Sequence, residues 1–247
     1  MLTEKFLEGR LRHDLDENEK QALETSISRT ITLDPRQTLA DRGTRLENSY
    51  YIVTGTMLRH LDDKHGERQL VGVNILGDFV DLHAFAMKRL DHSVSALDTC
   101  TVAEVPHRAL AEIMDRLPRL ARKLWFSTLI DAAMHREWIF RLGRLNAEGR
   151  IAHLMCELME RLRFVDAWDG RTFPIPLLQR DYAEACGISA VHANRSFRSL
   201  RERGALDPRG DGLIEILDES MLRQVAGFDP TYLYGHGELK VSSLTDA

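Results

Sequence analysis

Cysteine is scarce in this 247-residue chain: Cys100, Cys156 and Cys186 lie far apart, with no CxxC pair. That excludes a disulfide scaffold and a zinc knuckle, and it removes the usual thiolates of an iron–sulfur cluster. A reducing cytoplasmic compartment is expected. No stretch approaches the ~20 consecutive apolar residues of a membrane span. The N-terminal MLTEKFLEGRLRHDL also lacks the apolar run of a secretory leader. Nor is there an excess of positive charge. Lys and Arg number 33 against 38 Asp and Glu, a net −5, so the chain is not built to coat a polyanion as histones do. A Walker loop, a GxSxG elbow and an HExxH zinc motif are missing. Asp78, Asp81 and Asp91 form no evident catalytic pair, and no enzyme is expected.

What is present divides by periodicity. With 43% hydrophobic residues there is ample material for a core, in one large or two modest domains. From about Ile31 to Val105 short β-prone runs alternate with turn residues. Tyr50–Thr54 stops at Gly55, Gln69–Val73 follows a loop tip at Asp62–Gly66, and Thr99–Val105 closes the series. Many short strands at this spacing predict a barrel or roll. Residues up to about Ser28 read as helical and would pack on its outside. After Pro118 the period becomes helical, and Arg119–Leu145 contains no proline and a single glycine, Gly143. Its apolar residues include Leu120, Leu124, Leu129, Trp138, Ile139 and Leu142. A helix this long needs a second apolar stripe covered, most simply by the same helix of another subunit. Trp125 and Trp138 read as core or dimer packing. A further helix would run from near Ala147 to Arg163, followed by a polar loop over Val165–Thr172.

Residues 176–214 carry the sharpest signal. A first helix over Leu178–Ala185 is followed by Gly187, where a helix-turn-helix needs positive φ. Ser189 falls at the N-cap of a second helix. That helix would turn Val191, Phe197 and Leu200 inward and His192, Asn194, Arg195, Arg198 and Arg201 outward. Arg209–Ile214 reads as the hairpin of a wing. Ser189–Arg203 holds four arginines against one acid, Glu202, on an otherwise acidic chain. This is the footprint of a specific DNA reader, although the same charges could form an ordinary solvated face.

The order of these parts resembles the Crp/Fnr family of bacterial transcription regulators over nearly the whole chain. Tyr51-Ile52-Val53-Thr54-Gly55 with Met57-Leu58-Arg59 looks like its strand–glycine–strand signature. Leu76-Gly77-Asp78-Phe79 looks like its glycine–acid turn, and Val102-Ala103-Glu104-Val105 like its closing strand. Gly149-Arg150-Ile151-Ala152 matches where the dimer helix gives way to the next, and Ile188-Ser189 with Asn194-Arg195 resembles the recognition helix. The resemblance implies an α+β fold: an N-terminal double-stranded β-helix (jelly-roll-like) effector domain over 1–116, a dimerisation helix over 117–146, and a C-terminal winged helix-turn-helix over 147–247. It also implies a homodimer on double-stranded DNA, with a palindromic site, no membrane and contact with RNA polymerase.

Carried over residue by residue, Arg195 falls on the base-reading arginine, where a guanidinium can bond guanine O6 and N7. Ser189 and Arg198 fall on phosphate-holding positions, and Gln179, Ala190, Val191, His192 and Asn194 complete the DNA face. Where relatives carry a cytosine-reading Glu, this chain has Val191, which can only pack on a thymine methyl. The half-site is therefore expected to differ.

The effector region departs further. Gly77, Asp78, Phe79, His83, Arg89, His92, Ser93, His135 and Arg136 are the candidate effector residues. The phosphate-binding Arg-Ser pair of cyclic-AMP binders aligns with Leu90-Asp91 or, with a shift, His92-Ser93. Arg89 and Lys88 lie beside the position rather than on it, and an aspartate there would repel a phosphate. The effector is unknown on this reading, and an ordinary cyclic nucleotide is disfavoured. Heme is the alternative, with His83 as its ligand. His135 and Arg136 contact either the roll's occupant or the other subunit. Cys186 is a candidate redox switch or simply a small packing residue. A regulator without a ligand, or a protein-binding module that does not read DNA, are the competing functions. The segment Gly227–Leu233 is expected to fold back on the winged helix.

Overall fold

The computed structural model describes residues 1–11, 14–209 and 213–235. Among them, seven strands build the first half: β1 (Arg29–Leu33), β2 (Thr38–Ala40), β3 (Asn48–Thr54), β4 (Met57–Asp62), β5 (Arg68–Asn74), β6 (Ser93–Ala96) and β7 (Cys100–Pro106). They form two antiparallel sheets, ordered β1–β7–β3 and β2–β6–β4–β5. Ile52, Met57, Val80, Val94, Ala96 and Val102 form an apolar cluster of the roll. Gly55 turns β3 into β4 at φ +84; a Cβ there would stand 2.7 Å from the Thr99 carbonyl, so the tight turn requires glycine. Between β5 and β6 lies the short helix α2 (Ala84–Met87).

The N-terminal segment is helical only in part. Helix α1 (Glu17–Thr25) is fixed by a capping box between Asp16 and Glu19. Residues 2–9 form turns instead, because Leu7 and Gly9 adopt φ of +59 and +70, which no α-helix accommodates. Gly9 lies against Phe164, where a Cβ would come within 2.5 Å of the Phe164 Cβ. Phe6 and Leu7 join a second cluster with Tyr51, Phe79, Leu120 and Leu124.

Helix α3 (His107–Arg116) leads into α4 (Pro118–Arg144), 27 residues long, with Pro118 in its first turn, where a missing N–H costs nothing. Leu120, Leu124, Ile130, Ala133 and Trp138 are buried, whereas Trp125, Leu129, Ile139 and Phe140 are exposed. The two tryptophans therefore part company. Trp138 is inside, its Nε1 donating to Glu157 and its ring under the Arg141 guanidinium, while Trp125 is 62% exposed.

Helix α5 (Ala147–Phe164) is capped by Asn146 and buried along most of its length. Then come β8 (Thr172–Phe173), α6 (Gln179–Cys186), α7 (Ala190–Glu202), β9 (Leu206–Pro208), β10 (Ile214–Ile216) and α8 (Glu219–Ala226). Strands β8, β10 and β9 form a small antiparallel sheet; the expected turn between β9 and β10 includes positions 210–212, outside the described residues. The largest apolar cluster joins Leu58, Leu70 and Val73 of the roll to Ile151, Leu158, Tyr182 and Phe197. The two halves thus share one core.

The C-terminal 3-10 turn Pro230–Leu233 packs on α4 as well as α5, which is wider than a return to the winged helix alone. The Tyr232 hydroxyl donates to Glu157, and the Leu233 carbonyl accepts from buried Arg10.

Candidate functional site

Helices α6 and α7 form the helix-turn-helix. Gly187 ends α6 in the left-handed region at φ +57, and Ser189 starts α7, its Oγ accepting from the His192 N–H at 3.3 Å. Tyr182 meets Phe197 edge-on with centroids 4.9 Å apart. Ala193, Ser196, Phe197 and Leu200 are buried, and that fixes which face of α7 is outward. Ser189, Ala190, Val191, His192, Asn194, Arg195 and Arg198 all lie exposed on it. Val191 was expected in the core, yet it is 61% exposed. It precedes buried Ala193 by two residues, some 200° around the helix, so it belongs to the opposite face.

The arginines of α7 and its C-cap are not equivalent. Arg198 pairs with Glu202 at 3.1 Å, Arg201 with Asp207 at 2.9 Å, and Arg203 with Glu148 at 3.2 Å. Among the described residues Arg195 has no ion-pair partner, so its guanidinium is unspent. Gln179, exposed at the start of α6, accepts from the Asn194 side-chain amide at 3.3 Å and holds it in place.

The helix-turn-helix is clamped from behind. Arg36, at the β1–β2 turn, donates both Nη atoms to Asp181 of α6 at 2.7 Å each. Gln69 of β5 donates to the Glu184 carbonyl. Arg141 of α4 and Arg150 of α5 donate to the Ala185 and Cys186 carbonyls, placing positive charge at the C-terminus of α6. Cys186 itself is fully buried, and burial pushes its thiol up to about 11. A protonated, enclosed thiol is a poor redox switch.

In the roll, charged groups are spent on internal contacts. Gly77 lies at φ +92 under the Lys5 carbonyl, and the Asp78 carboxylate accepts from the Ile75 N–H at 2.9 Å and from Arg161 of α5 at 2.5 Å. Phe79 is in the core against Phe6 and Tyr51. Arg59 is buried: its Nε donates to the Val80 carbonyl at 2.6 Å and its Nη1 to both oxygens of Asp131, on α4, at 2.7 Å. Burial acts to raise the Asp131 carboxyl, but the charge and hydrogen bond of Arg59, together with His135 and His83, hold it below its ordinary range. His135 follows one turn later, 3.9 Å from Asp131, while Arg136 is exposed.

Beside this ion pair, His83 precedes α2 and meets Asp91 and His92. Asp91 Oδ1 lies 2.7 Å from His92 Nδ1 and 3.7 Å from His83 Nε2. Burial lowers both imidazoles, His92 to about 4, with the Arg59 charge adding to the effect. Both rings are therefore neutral at pH 7. Ser93 Oγ accepts from the Arg42 N–H, and exposed Arg89 donates to the Gly43 carbonyl. These residues do not form a phosphate cradle. A carboxylate stands among the groups a cyclic phosphate would meet, and Arg59 is already neutralised by Asp131. Asp91 Oδ1 stands 3.7 Å from His83 Nε2, so a carboxylate faces the nitrogen a heme iron would take.

Arg59, Asp131, Arg161 and the Arg36–Asp181 clamp were not anticipated from sequence. The only signal for them is a charge inside an apolar run, Leu58-Arg59 and Leu129-Ile130-Asp131-Ala132, which a solvated face can equally produce.

A roll joined through a long helix to a winged helix-turn-helix with an unspent arginine on its outer face defines a DNA-binding transcription regulator. Comparison with known proteins agrees. A cyclic nucleotide-binding domain model matches residues 30–117, and a Crp-like helix-turn-helix model matches residues 149–225. The chain belongs to the Crp/Fnr family. It is 25% identical over 213 residues to the fumarate and nitrate reduction regulatory protein of Escherichia coli K12, covering 86% of this chain and 84% of that one. It is 24% identical over 217 residues to the anaerobic regulatory protein of Haemophilus influenzae, covering 88% and 84%. Its fold superposes on FixK2 of Bradyrhizobium japonicum with a TM-score of 0.74 at 21% identity, covering 81% of this chain and 98% of that one. Among the described residues no helix is long and apolar enough to cross a membrane.

Proposed function

We propose that this protein is a cytoplasmic, homodimeric regulator that reads a palindromic DNA site through α7 and is switched by an effector in the roll. The observation that carries the reading is Arg195, exposed and unpaired on a helix whose opposite face is locked into the core. Asn194, Arg198 and the Ser189 end of α7 flank it, at a helix N-terminus suited to phosphate. Trp125, Leu129, Ile139 and Phe140 leave an apolar stripe on α4 uncovered in the single chain. The same helix of a second copy would cover it and place two α7 helices about one duplex turn apart. The working units are the roll over 1–116, the dimer helix over 117–146 and the reading domain over 147–247. Control of transcription then requires touching RNA polymerase or blocking it, and catalysis has no part in it.

The test is selection of duplexes from a random pool, followed by binding to the enriched sequence. A two-fold symmetric site should emerge, and Arg195→Ala should weaken it by about 1–3 kcal/mol while relaxing preference at one guanine per half-site. Unchanged affinity in Arg195→Ala would assign the winged helix to a protein partner instead.

A further inference from the structure

We propose that His83, Asp91 and His92 bind one divalent first-row transition-metal ion. Among the described residues this is the one group of three or more His, Cys, Asp or Glu side chains whose donor atoms could hold an ion, all within 4.8 Å of one another. Asp91 Oδ1 stands between the two rings, 2.7 Å from His92 Nδ1 and 3.7 Å from His83 Nε2. Four-coordinate or octahedral bonding at ~2.0–2.2 Å from each donor would set neighbouring ligands about 3.0–3.4 Å apart. To reach that range the Asp91–His83 pair would close, and the Asp91–His92 pair open, by a few tenths of an ångström.

A second observation points the same way. His83 Nε2, the nitrogen that faces Asp91, is buried without a hydrogen-bond partner. A buried imidazole nitrogen without a partner costs free energy, which an ion bound at that atom would offset. Two imidazoles with one carboxylate select ions such as Zn²⁺, Fe²⁺, Co²⁺ or Ni²⁺ over the oxygen-seeking Ca²⁺ and Mg²⁺. Asp91 is largely exposed on its outer side, which leaves a route in and an open coordination position.

The site borders the Arg59–Asp131 pair, which ties β4 to α4. A bound dication would add positive charge next to Arg59 and so alter the pull between the roll and the long helix. The inference rests on the regulator reading and deepens it, since it makes the effector a metal ion.

Full-length protein stripped with a chelator should be titrated with Co²⁺, whose visible bands report ligand field, and then challenged with Zn²⁺. One equivalent per chain is expected, with bands that Zn²⁺ abolishes. Asp91→Asn and His83→Ala should each lose at least about 10-fold in affinity, while His65→Ala, on the exposed β4–β5 loop, should bind as the parent does. Asp91→Asn removes no buried bulk, so it keeps the test valid if His83→Ala fails to fold. Absence of stoichiometric binding, or parental affinity in both ligand variants, overturns the site. Saturating Zn²⁺ should also change operator affinity by at least about 5-fold in the parent and not in Asp91→Asn; no change overturns the effector assignment. Arg195→Ala, intact in the roll, should titrate with Co²⁺ like the parent, so a failure of the DNA reading is seen separately.

Discussion

The two halves of this molecule use charge in opposite ways. On α7 the functional groups are held outward by a buried apolar face, and Arg195 is left unpaired for a partner. In the roll, Arg59 and Asp78 are turned inward and committed to Asp131 of α4 and to Arg161 of α5. A reading surface works by leaving hydrogen-bonding capacity unspent until DNA arrives. A sensor works by having two arrangements of an already satisfied network, so that a small ligand can tip it. The difference explains why the first half-function can be seen in a single conformation and the second only through its joints.

The strongest way to break the contrast is at the central joint. Asp131→Ala leaves the Arg59 guanidinium buried without a counter-charge, and loss of one partner of a buried pair costs about 3–5 kcal/mol. Urea unfolding should show that loss. Arg59→Met combined with Asp131→Ala should recover much of it, since the uncompensated charge is gone. If Asp131→Ala alone is neutral, the pair is solvated and cannot transmit anything.

The junction of the halves also has a pH signature. His153 of α5 is buried and lies 3.3 Å from Glu137 on α4, with Glu157 one turn ahead, Arg141 nearby and the rings of Phe228 and Tyr232 against it. Burial holds its pKa down, at about 4 against 6.5 unfolded, so the folded state prefers the neutral ring. Its contribution is complete above pH 6.5 and fades as pH falls toward 4, by up to about 3 kcal/mol. Across that window acidification should therefore destabilise the parent relative to His153→Leu by up to about 3 kcal/mol. Parallel curves would show that the ring is already charged or hydrated in the fold.

How much of this was legible in the sequence follows the same divide. The helix-turn-helix could be read because its signals are local: Gly187 at the turn, Ser189 at the cap, and buried residues at helical spacing. Val191 is apolar yet exposed, because Ala193, Phe197 and Leu200 already define the inner face. In the roll, β4 is buried at Met57, Leu58, Arg59 and His60 in succession, so alternation says nothing about where a charge points. Arg59 finds Asp131 across 72 residues of chain, and Arg36 finds Asp181 across 145; no local pattern encodes such pairs. The N-terminal turns were read as helix because their left-handed residues include a leucine, Leu7, which carries no such preference.

The smallest expected effect sharpens the contrast most finely, because Ser189 serves the fold and the reading face at once. Its Oγ caps α7 by accepting from the His192 N–H, and it stands exposed where a phosphate would approach. Ser189→Ala should cost about 1 kcal/mol of stability through the lost cap and weaken DNA binding as well. That variant alone cannot separate the two roles. Ser189→Asp can, because aspartate is as good a cap and its charge suits the helix N-terminus, while the same charge repels phosphate. Thermal unfolding of Ser189→Asp should match the parent and its operator affinity should fall below that of Ser189→Ala. If both variants bind DNA alike, Ser189 holds the helix and leaves the phosphates to Arg198.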